Sequence, residues 1–199
     1  MIYHGRKGEI MKILKFLVFA VFFAFGAARA ENLIVYFSDS GNTERVANTI
    51  YELVGGDVAR IVSVMPYPKS QTDKTYVAKR EQESGARPEY EDLGVDVADY
   101  DLIFLGYPIW WGGMPMVVYT FLENNNFDGK IIVPFATYGT SGLGNSVEEI
   151  KRVAPGATVT EGFGMPGKET TKDYTKVLAE WLSDVVVTEW LNKTSGNAE

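Results

Sequence analysis

The feature that most constrains the fold of this chain is an alternation, from residue 32 onward, of short apolar runs with amphipathic helical stretches. The run from Leu33 to Phe37 is apolar throughout, which is typical of a strand buried on both faces. Strands that alternate with helices predict a parallel sheet with helices on both sides, joined by right-handed crossovers. The sequence therefore predicts an α/β fold, a three-layer αβα sandwich, as a single domain over residues 31–199.

The pattern sets approximate bounds for each element. Five strands are predicted, over residues 32–37, 57–62, 101–106, 130–136 and 157–163. Helices are predicted over residues 43–54, 70–83, 115–123, 145–153 and 171–187. In a sheet of this kind, ligands bind at the carboxyl ends of the strands, where the strand order reverses.

The first thirty residues have the pattern of an export signal. A basic segment precedes thirteen uninterrupted apolar or small residues, 16–28, and Ala28-Arg29-Ala30 offers a signal peptidase site. Cleavage after Ala30 would yield a periplasmic or secreted protein without a membrane anchor. An uncleaved N-terminal anchor is the alternative, but a span needs roughly 20 residues. Met11 is a more natural start than the first residue, so residues 1–10 are interpreted as lying upstream of the true start.

The composition narrows the chemistry that the chain can perform. Cysteine is absent, and the only histidine, His4, lies in the predicted signal. The remaining chain has no disulfide, thiolate nucleophile, Ser-His-Asp triad or usual zinc site, and we expect a bound cofactor to supply any chemistry. From Glu31 onward there are 14 basic and 25 acidic residues, a net charge of −11. This charge argues against nucleic acid or an anionic membrane as partner.

The segment Ser38-Asp39-Ser40-Gly41-Asn42-Thr43 lies between the first predicted strand and the first predicted helix. Hydroxyl groups, a glycine and an Asn-Thr pair at a helix start are typical of loops whose unpaired backbone N–H groups bind phosphate. The segment has no Lys or Arg, and it fits neither the Walker pattern nor the three-glycine dinucleotide pattern. It predicts a neutral cradle for one phosphate, although helix starts also use these residues for capping alone.

Two further unusual loops follow the third and fourth strands. Residues 107–113 read Tyr-Pro-Ile-Trp-Trp-Gly-Gly, and residues 137–144 read Thr-Tyr-Gly-Thr-Ser-Gly-Leu-Gly. The first supplies a flat apolar surface, and the second supplies small residues and backbone groups for the polar edge of a ring. Since all three loops should meet at the switch point, they predict a flavin mononucleotide (FMN) site. The alternative is that both Trp side chains merely cover the end of the sheet.

Four blocks of the sequence resemble the flavodoxin family. They are residues 36–43, residues 86–88 (Ala-Arg-Pro), residues 100–112, which contain Tyr-Pro-Ile-Trp-Trp-Gly, and residues 134–144. The resemblance extends over residues 32–185. It implies a flavodoxin-like fold with a five-stranded parallel sheet in the order 2-1-3-4-5, and FMN held without a covalent bond.

The resemblance also implies which residues hold the cofactor, with no catalytic side chain and no metal. The phosphate would be held by Ser38, Ser40, Gly41, Asn42 and Thr43. One side of the isoalloxazine ring would be lined by Pro108, Ile109, Trp110, Trp111 and Gly112. The other side would be lined by Thr137, Tyr138, Gly139, Ser141 and Gly142.

Three functional hypotheses follow from the sequence. The first is an FMN-binding electron-transfer protein whose partner is a redox protein or a small-molecule electron acceptor. The second is an enzyme, an FMN-dependent NAD(P)H:quinone-type oxidoreductase, whose acceptor site lies at a dimer interface. The third is a flavin-free interaction module with the same fold. The sequence leaves open whether the chain is a monomer or a dimer.

Overall fold

The computed structural model describes residues 32–195, so the predicted export signal and its cleavage site lie outside the described residues. The strands are β1 (Asn32–Phe37), β2 (Asp57–Ile61), β3 (Leu102–Pro108), β4 (Ile131–Tyr138), β5 (Thr158–Val159) and β6 (Phe163–Pro166). The α-helices are α1 (Asn42–Val54), α2 (Gln71–Ser84), α3 (Met116–Asn124), α4 (Ser146–Val153) and α5 (Thr175–Ser195). None of the helices in this part of the chain is both long and apolar enough to cross a membrane.

The strands form one parallel sheet in the order β2-β1-β3-β4-β5, and β6 also pairs with β4. This result confirms the predicted order. The register pairs Leu33 with Ile103 and Ile103 with Ile132, and all three side chains are fully buried. The order reverses between β1 and β3, so the loops that follow β1, β3 and β4 share one edge of the sheet.

Helices cover both faces of the sheet. The apolar side chains of α3 and α4 pack in one core cluster with Leu33, Ile103 and Ile132. Those of α1 and α5 pack in a second cluster with Ile34 and Phe104 on the opposite face. Helix α2 differs from the others, because Ala78 is its only buried residue. It is attached mainly by polar contacts to the loops at the carboxyl edge of the sheet.

The fifth strand is interrupted, whereas the sequence predicts a continuous strand over residues 157–163. The register pairs Ile132 with Val159 and Phe135 with Phe163, so three steps along β4 oppose four on the other strand. This extra residue is a β-bulge. A Cβ atom at Gly162 would lie 3.0 Å from a methyl group of Val147 and 3.1 Å from one of Leu143, so the close approach of these two side chains favours glycine here.

The last helix begins at Thr175, four residues later than predicted. The chain first forms a 3-10 turn at Gly167–Glu169. The backbone N–H of Thr175 then donates a hydrogen bond to Asp173 Oδ1 (3.3 Å), which caps the start of α5.

Candidate functional site

The loop between β1 and α1 (residues 38–43), called here the phosphate loop, has the geometry of an anion-binding helix start. Gly41 adopts φ +80°, a left-handed conformation that favours glycine. The backbone N–H of Glu44 donates to Ser38 Oγ (3.3 Å). Among the described residues, no acceptor contacts the backbone N–H groups of Ser40, Gly41, Asn42 or Thr43. Such unpaired N–H groups at a helix N-terminus attract an anion.

Side chains of this loop fix it to two other loops. Thr43 Oγ1 lies 2.9 Å from Thr137 Oγ1 at the end of β4, and both side chains are buried. Asn42 Nδ2 donates to Ser40 Oγ (3.2 Å), and Thr170 Oγ1 donates to Asn42 Oδ1 (3.1 Å). Asn42 therefore joins the phosphate loop to the 3-10 turn that precedes α5.

The loop after β3 contains a tight turn over Trp110–Gly113, called here the Trp turn. Trp110 and Gly113 exchange two backbone hydrogen bonds, of 2.9 and 3.1 Å. The two central residues have left-handed conformations, with φ +51° at Trp111 and φ +80° at Gly112, as a type I′ turn requires. Among the described residues, Trp111 is the only residue other than glycine with a positive φ. A bulky side chain in this conformation is unusual and is held by its surroundings.

The two tryptophans of this turn have different neighbours. Trp110 packs edge-on against Phe37 and Tyr67, with ring centroids 5.5 and 4.9 Å away. Trp111 is 50% exposed, and its indole N–H donates to the backbone oxygen of Thr75 in α2 (3.1 Å). The Nζ atom of Lys79 lies 5.1 Å from the centroid of the Trp111 ring. Trp110 therefore belongs to the rim of the core, and Trp111 fastens the turn to α2.

The loop after β4 packs directly against this turn. The backbone N–H of Ile109 donates to the oxygen of Thr137 (2.8 Å), and that of Asn145 donates to the oxygen of Gly112 (3.1 Å). A Cβ atom on Gly144 would lie 2.0 Å from the same Gly112 oxygen, so the two backbones approach too closely for any side chain. The relative position of the two loops therefore depends on glycine at position 144.

The three loops, together with α2 and the turn before α5, enclose a cleft of about 430 Å³, called here the loop cleft. Its lining includes eight of the residues predicted from the sequence: Ser40, Asn42, Pro108, Ile109, Trp110, Thr137, Tyr138 and Gly139. It also includes Asp39, which belongs to the segment 38–43, and residues that the sequence did not indicate: Gln71, Lys74, Gly167 and Lys168. One end of the cleft is thus formed by the phosphate loop, and its sides by Trp110 and Tyr138.

The other predicted residues lie in the same loops but do not line the loop cleft. The conformation of the phosphate loop is stabilised by the bond of Glu44 to Ser38, by the left-handed Gly41 and by the contact of Thr43 with Thr137. Trp111 lines a smaller cavity, of about 200 Å³, between the Trp turn and α2, and Gly112 contacts Gly144. Ser141 and Gly142 follow the lining residues of the third loop, and their predicted role stays a prediction.

The surroundings of the phosphate loop are not neutral, although its six residues contain no cation. Lys74 of α2 forms an ion pair with Asp39, the charged residue of the loop. Lys168, in the turn before α5, lines the same cleft. These lysines come from segments far from the loop in sequence, so the motif alone does not indicate them. The loop therefore lacks a cation, as its sequence indicates, but it is not neutral, because Asp39 carries a charge that Lys74 balances from outside the loop.

A partly buried carboxyl group, that of Glu81, ties α2 to the core beneath Trp110. The hydroxyl of Tyr67 donates to Glu81 Oε2 (2.8 Å). Burial raises the pKa of Glu81 above its ordinary value of 4.5, and the hydrogen bond from Tyr67 opposes part of that rise. Burial, with the hydrogen bond and charge of Glu81, also raises the pKa of the Tyr67 hydroxyl far above its usual range. Tyr67 is therefore a permanent donor to Glu81.

This raised pKa predicts a pH effect on stability. The folded state holds the Glu81 proton more tightly than the unfolded state does. The protonated carboxyl therefore adds to the free energy of unfolding below pH 4.5, and this contribution is lost as pH rises through the folded pKa. We expect Glu81→Gln to raise the melting temperature relative to wild type at pH 7 more than at pH 4. The matched control is Glu83→Gln, which removes an exposed charge from the same helix. Equal shifts at both pH values would contradict the assignment.

Comparisons with known proteins agree with this geometry. A model of the flavodoxin family matches residues 31–185. The crystal structure of a candidate flavoprotein from Bacteroides eggerthii DSM 20697 is 31% identical with a TM-score of 0.67, covering 79% of this chain and 98% of that one. Its counterpart from Bacteroides uniformis ATCC 8492 is 30% identical with a TM-score of 0.68, covering 77% and 97%.

A third similar structure contains a cofactor. It is a flavoprotein in complex with FMN from Lactobacillus acidophilus NCFM, 25% identical with a TM-score of 0.59, and the match covers 72% of this chain and 97% of that one. The strand order, the three converging loops and the family match over most of the sequence lead to one assignment. The chain belongs to the flavodoxin family.

Proposed function

We propose that this protein binds FMN in the loop cleft and transfers electrons. The observation that carries the proposal is the meeting of three loops at one edge of the sheet, with unpaired N–H groups at one end of the cleft and aromatic walls along it. A phosphate and a planar ring are the two chemical groups that such a cleft fits. The flavoprotein of Lactobacillus acidophilus, which shares the fold, is in complex with FMN.

The residues present fit this cofactor. The N–H groups of residues 40–43 would hold the phosphate, helped by the side chains of Ser40 and Asn42. The segment Pro108 to Trp110 and the segment Thr137 to Gly139 would line the two sides of the ring. Bound FMN would supply the chemistry of accepting and returning electrons.

The protein itself would contribute position and electrostatics. Trp110 and Tyr138 would exclude water from the ring, and the buried pair Thr43 and Thr137 keeps the phosphate loop aligned with the third loop. The net charge of −11 from Glu31 onward opposes the gain of further negative charge at the ring. Lys168 reduces this opposition locally, because it lines the same cleft, whereas the charge of Lys74 is balanced by Asp39.

The test is a titration of the chain from Glu31, which contains the whole described fold, with FMN. We expect saturation at one FMN per chain and quenching of the flavin fluorescence, because aromatic side chains would contact the ring. Absence of saturable binding would overturn the proposal and favour a flavin-free interaction module. With FMN bound, steady oxidation of NADH or NADPH in the presence of a quinone would indicate an oxidoreductase instead of an electron carrier.

A further inference from the structure

The phosphate loop carries a charge that opposes its proposed ligand. Asp39 is the one charged residue among residues 38–43, and it lines the loop cleft beside Ser40 and Asn42. A carboxylate close to a dianionic phosphate raises the free energy of the bound state by Coulomb repulsion. The loop would therefore need a compensating cation to hold a phosphate well.

Lys74 supplies this cation from outside the loop. Its Nζ atom forms an ion pair with Asp39 Oδ2, and the two side chains are only 12% and 23% exposed. Because both side chains are partly covered, salt screens this pair less than it would screen a pair in open water. Lys74 also lines the loop cleft, so the pair lies where a ligand would be bound.

The position of Lys74 depends on how α2 is attached. Apart from the buried Ala78, this helix is held by polar contacts, among them the bond from the Trp111 indole to Thr75 and the bond from Tyr67 to Glu81. These contacts lie C-terminal to Lys74 on the same helix. They would keep α2 in place if the ion pair were removed, which makes the charge effect separable from folding.

The neighbouring cations do not duplicate this role. The guanidinium of Arg45 donates to Asn42 Oδ1 (3.0 Å) and does not line the loop cleft. Lys168 lines the cleft from the turn before α5, and its side chain makes no ion pair with Asp39 among the residues that the structure describes. Lys74 is therefore the group that neutralises Asp39.

We propose that Lys74 is a specificity-determining residue: by neutralising Asp39 it lets the loop accept a dianionic phosphate, and so selects a phosphorylated flavin over an unphosphorylated one. This inference rests on the proposed function. It predicts that the effect of Lys74 appears with FMN and not with riboflavin, which has the same ring but no phosphate.

The experiment is a double-mutant cycle with both flavins as probes. The chain from Glu31 is prepared as wild type, Lys74→Met, Asp39→Asn and the double variant, and the Kd of each flavin is measured by fluorescence quenching at low salt. Lys151→Met is the control, since it removes the same charge from an exposed pair with Glu148 outside the cleft. Thermal unfolding of each variant reports whether the fold is intact.

We expect a distinct pattern of affinities. Lys74→Met should raise the Kd of FMN about tenfold and leave that of riboflavin within about twofold, since an uncompensated carboxylate repels only the phosphate. Asp39→Asn should strengthen FMN binding, because Lys74 then faces the phosphate unpaired. The double variant should return to within about threefold of wild type, because the net charge at the pair is restored.

Other outcomes separate this inference from the proposed function. If wild type binds neither flavin, the proposed function and this inference are both overturned. If wild type binds FMN but Lys74→Met weakens both flavins equally, Lys74 has only a structural role and this inference is overturned. Should Lys74→Met not fold, Asp39→Asn decides: an unchanged ratio of FMN to riboflavin affinity in that variant would overturn the inference.

Discussion

Replacement of Gly144 by alanine is expected to weaken FMN binding about thirtyfold and to destabilise the fold. The new Cβ atom would lie 2.0 Å from the backbone oxygen of Gly112, and φ at this position is +57°. The left-handed conformation costs alanine about 1 kcal/mol, and relief of the contact costs roughly 1–3 kcal/mol more. Because the Trp turn must move away from the third loop, about 2 kcal/mol would be needed to restore the binding geometry.

The matched control is Gly129→Ala, in the turn before β4 and outside the loop cleft. Gly129 also has a left-handed conformation, with φ +74°, but a Cβ atom there would meet nothing within 4 Å. It therefore bears only the conformational cost of about 1 kcal/mol. FMN titration and chemical unfolding of both variants give the comparison. Equal losses of FMN affinity would contradict a specific role for the contact between Gly144 and Gly112.

Much of the fold could be predicted because its signals are local. The run from Leu33 to Phe37 is apolar and bounded by polar residues, and β1 has the predicted bounds. Helix α1 starts one residue before the predicted position, since Gly41 and Asn42 mark the change of backbone conformation. The strand order then brings the three unusual loops to one edge, and eight of the predicted site residues line one cleft.

The features that could not be predicted depend on contacts between distant segments. The bulge between β5 and β6 is defined by the register with β4 and has only Gly162 as a local signal. Lys74 is 35 residues from Asp39, and most of α2 is polar, so its sequence does not indicate which side faces the cleft. The separate roles of adjacent tryptophans likewise depend on where α2 packs.

This difference between the tryptophans leads to the second large effect: Trp110→Ala should be far more damaging than Trp111→Ala. Removal of Trp110 leaves a gap beside Phe37 and Tyr67 and takes away one wall of the loop cleft. For a partly buried tryptophan we expect a loss of about 3 kcal/mol in the free energy of unfolding. At this chain length, that loss lowers the melting temperature by about 6–12 °C.

The FMN affinities should diverge in the same direction. The loss of a ring contact at Trp110 is expected to raise the Kd of FMN at least about fivefold above that of Trp111→Ala, which corresponds to about 1 kcal/mol. Trp111 is half exposed and contacts α2, so its removal should cost under about 1 kcal/mol of stability. Thermal unfolding and FMN titration of both variants test this. Equal losses of FMN affinity would mean that the ring does not lie against Trp110, and a larger loss in Trp111→Ala would place it in the smaller cavity beside α2.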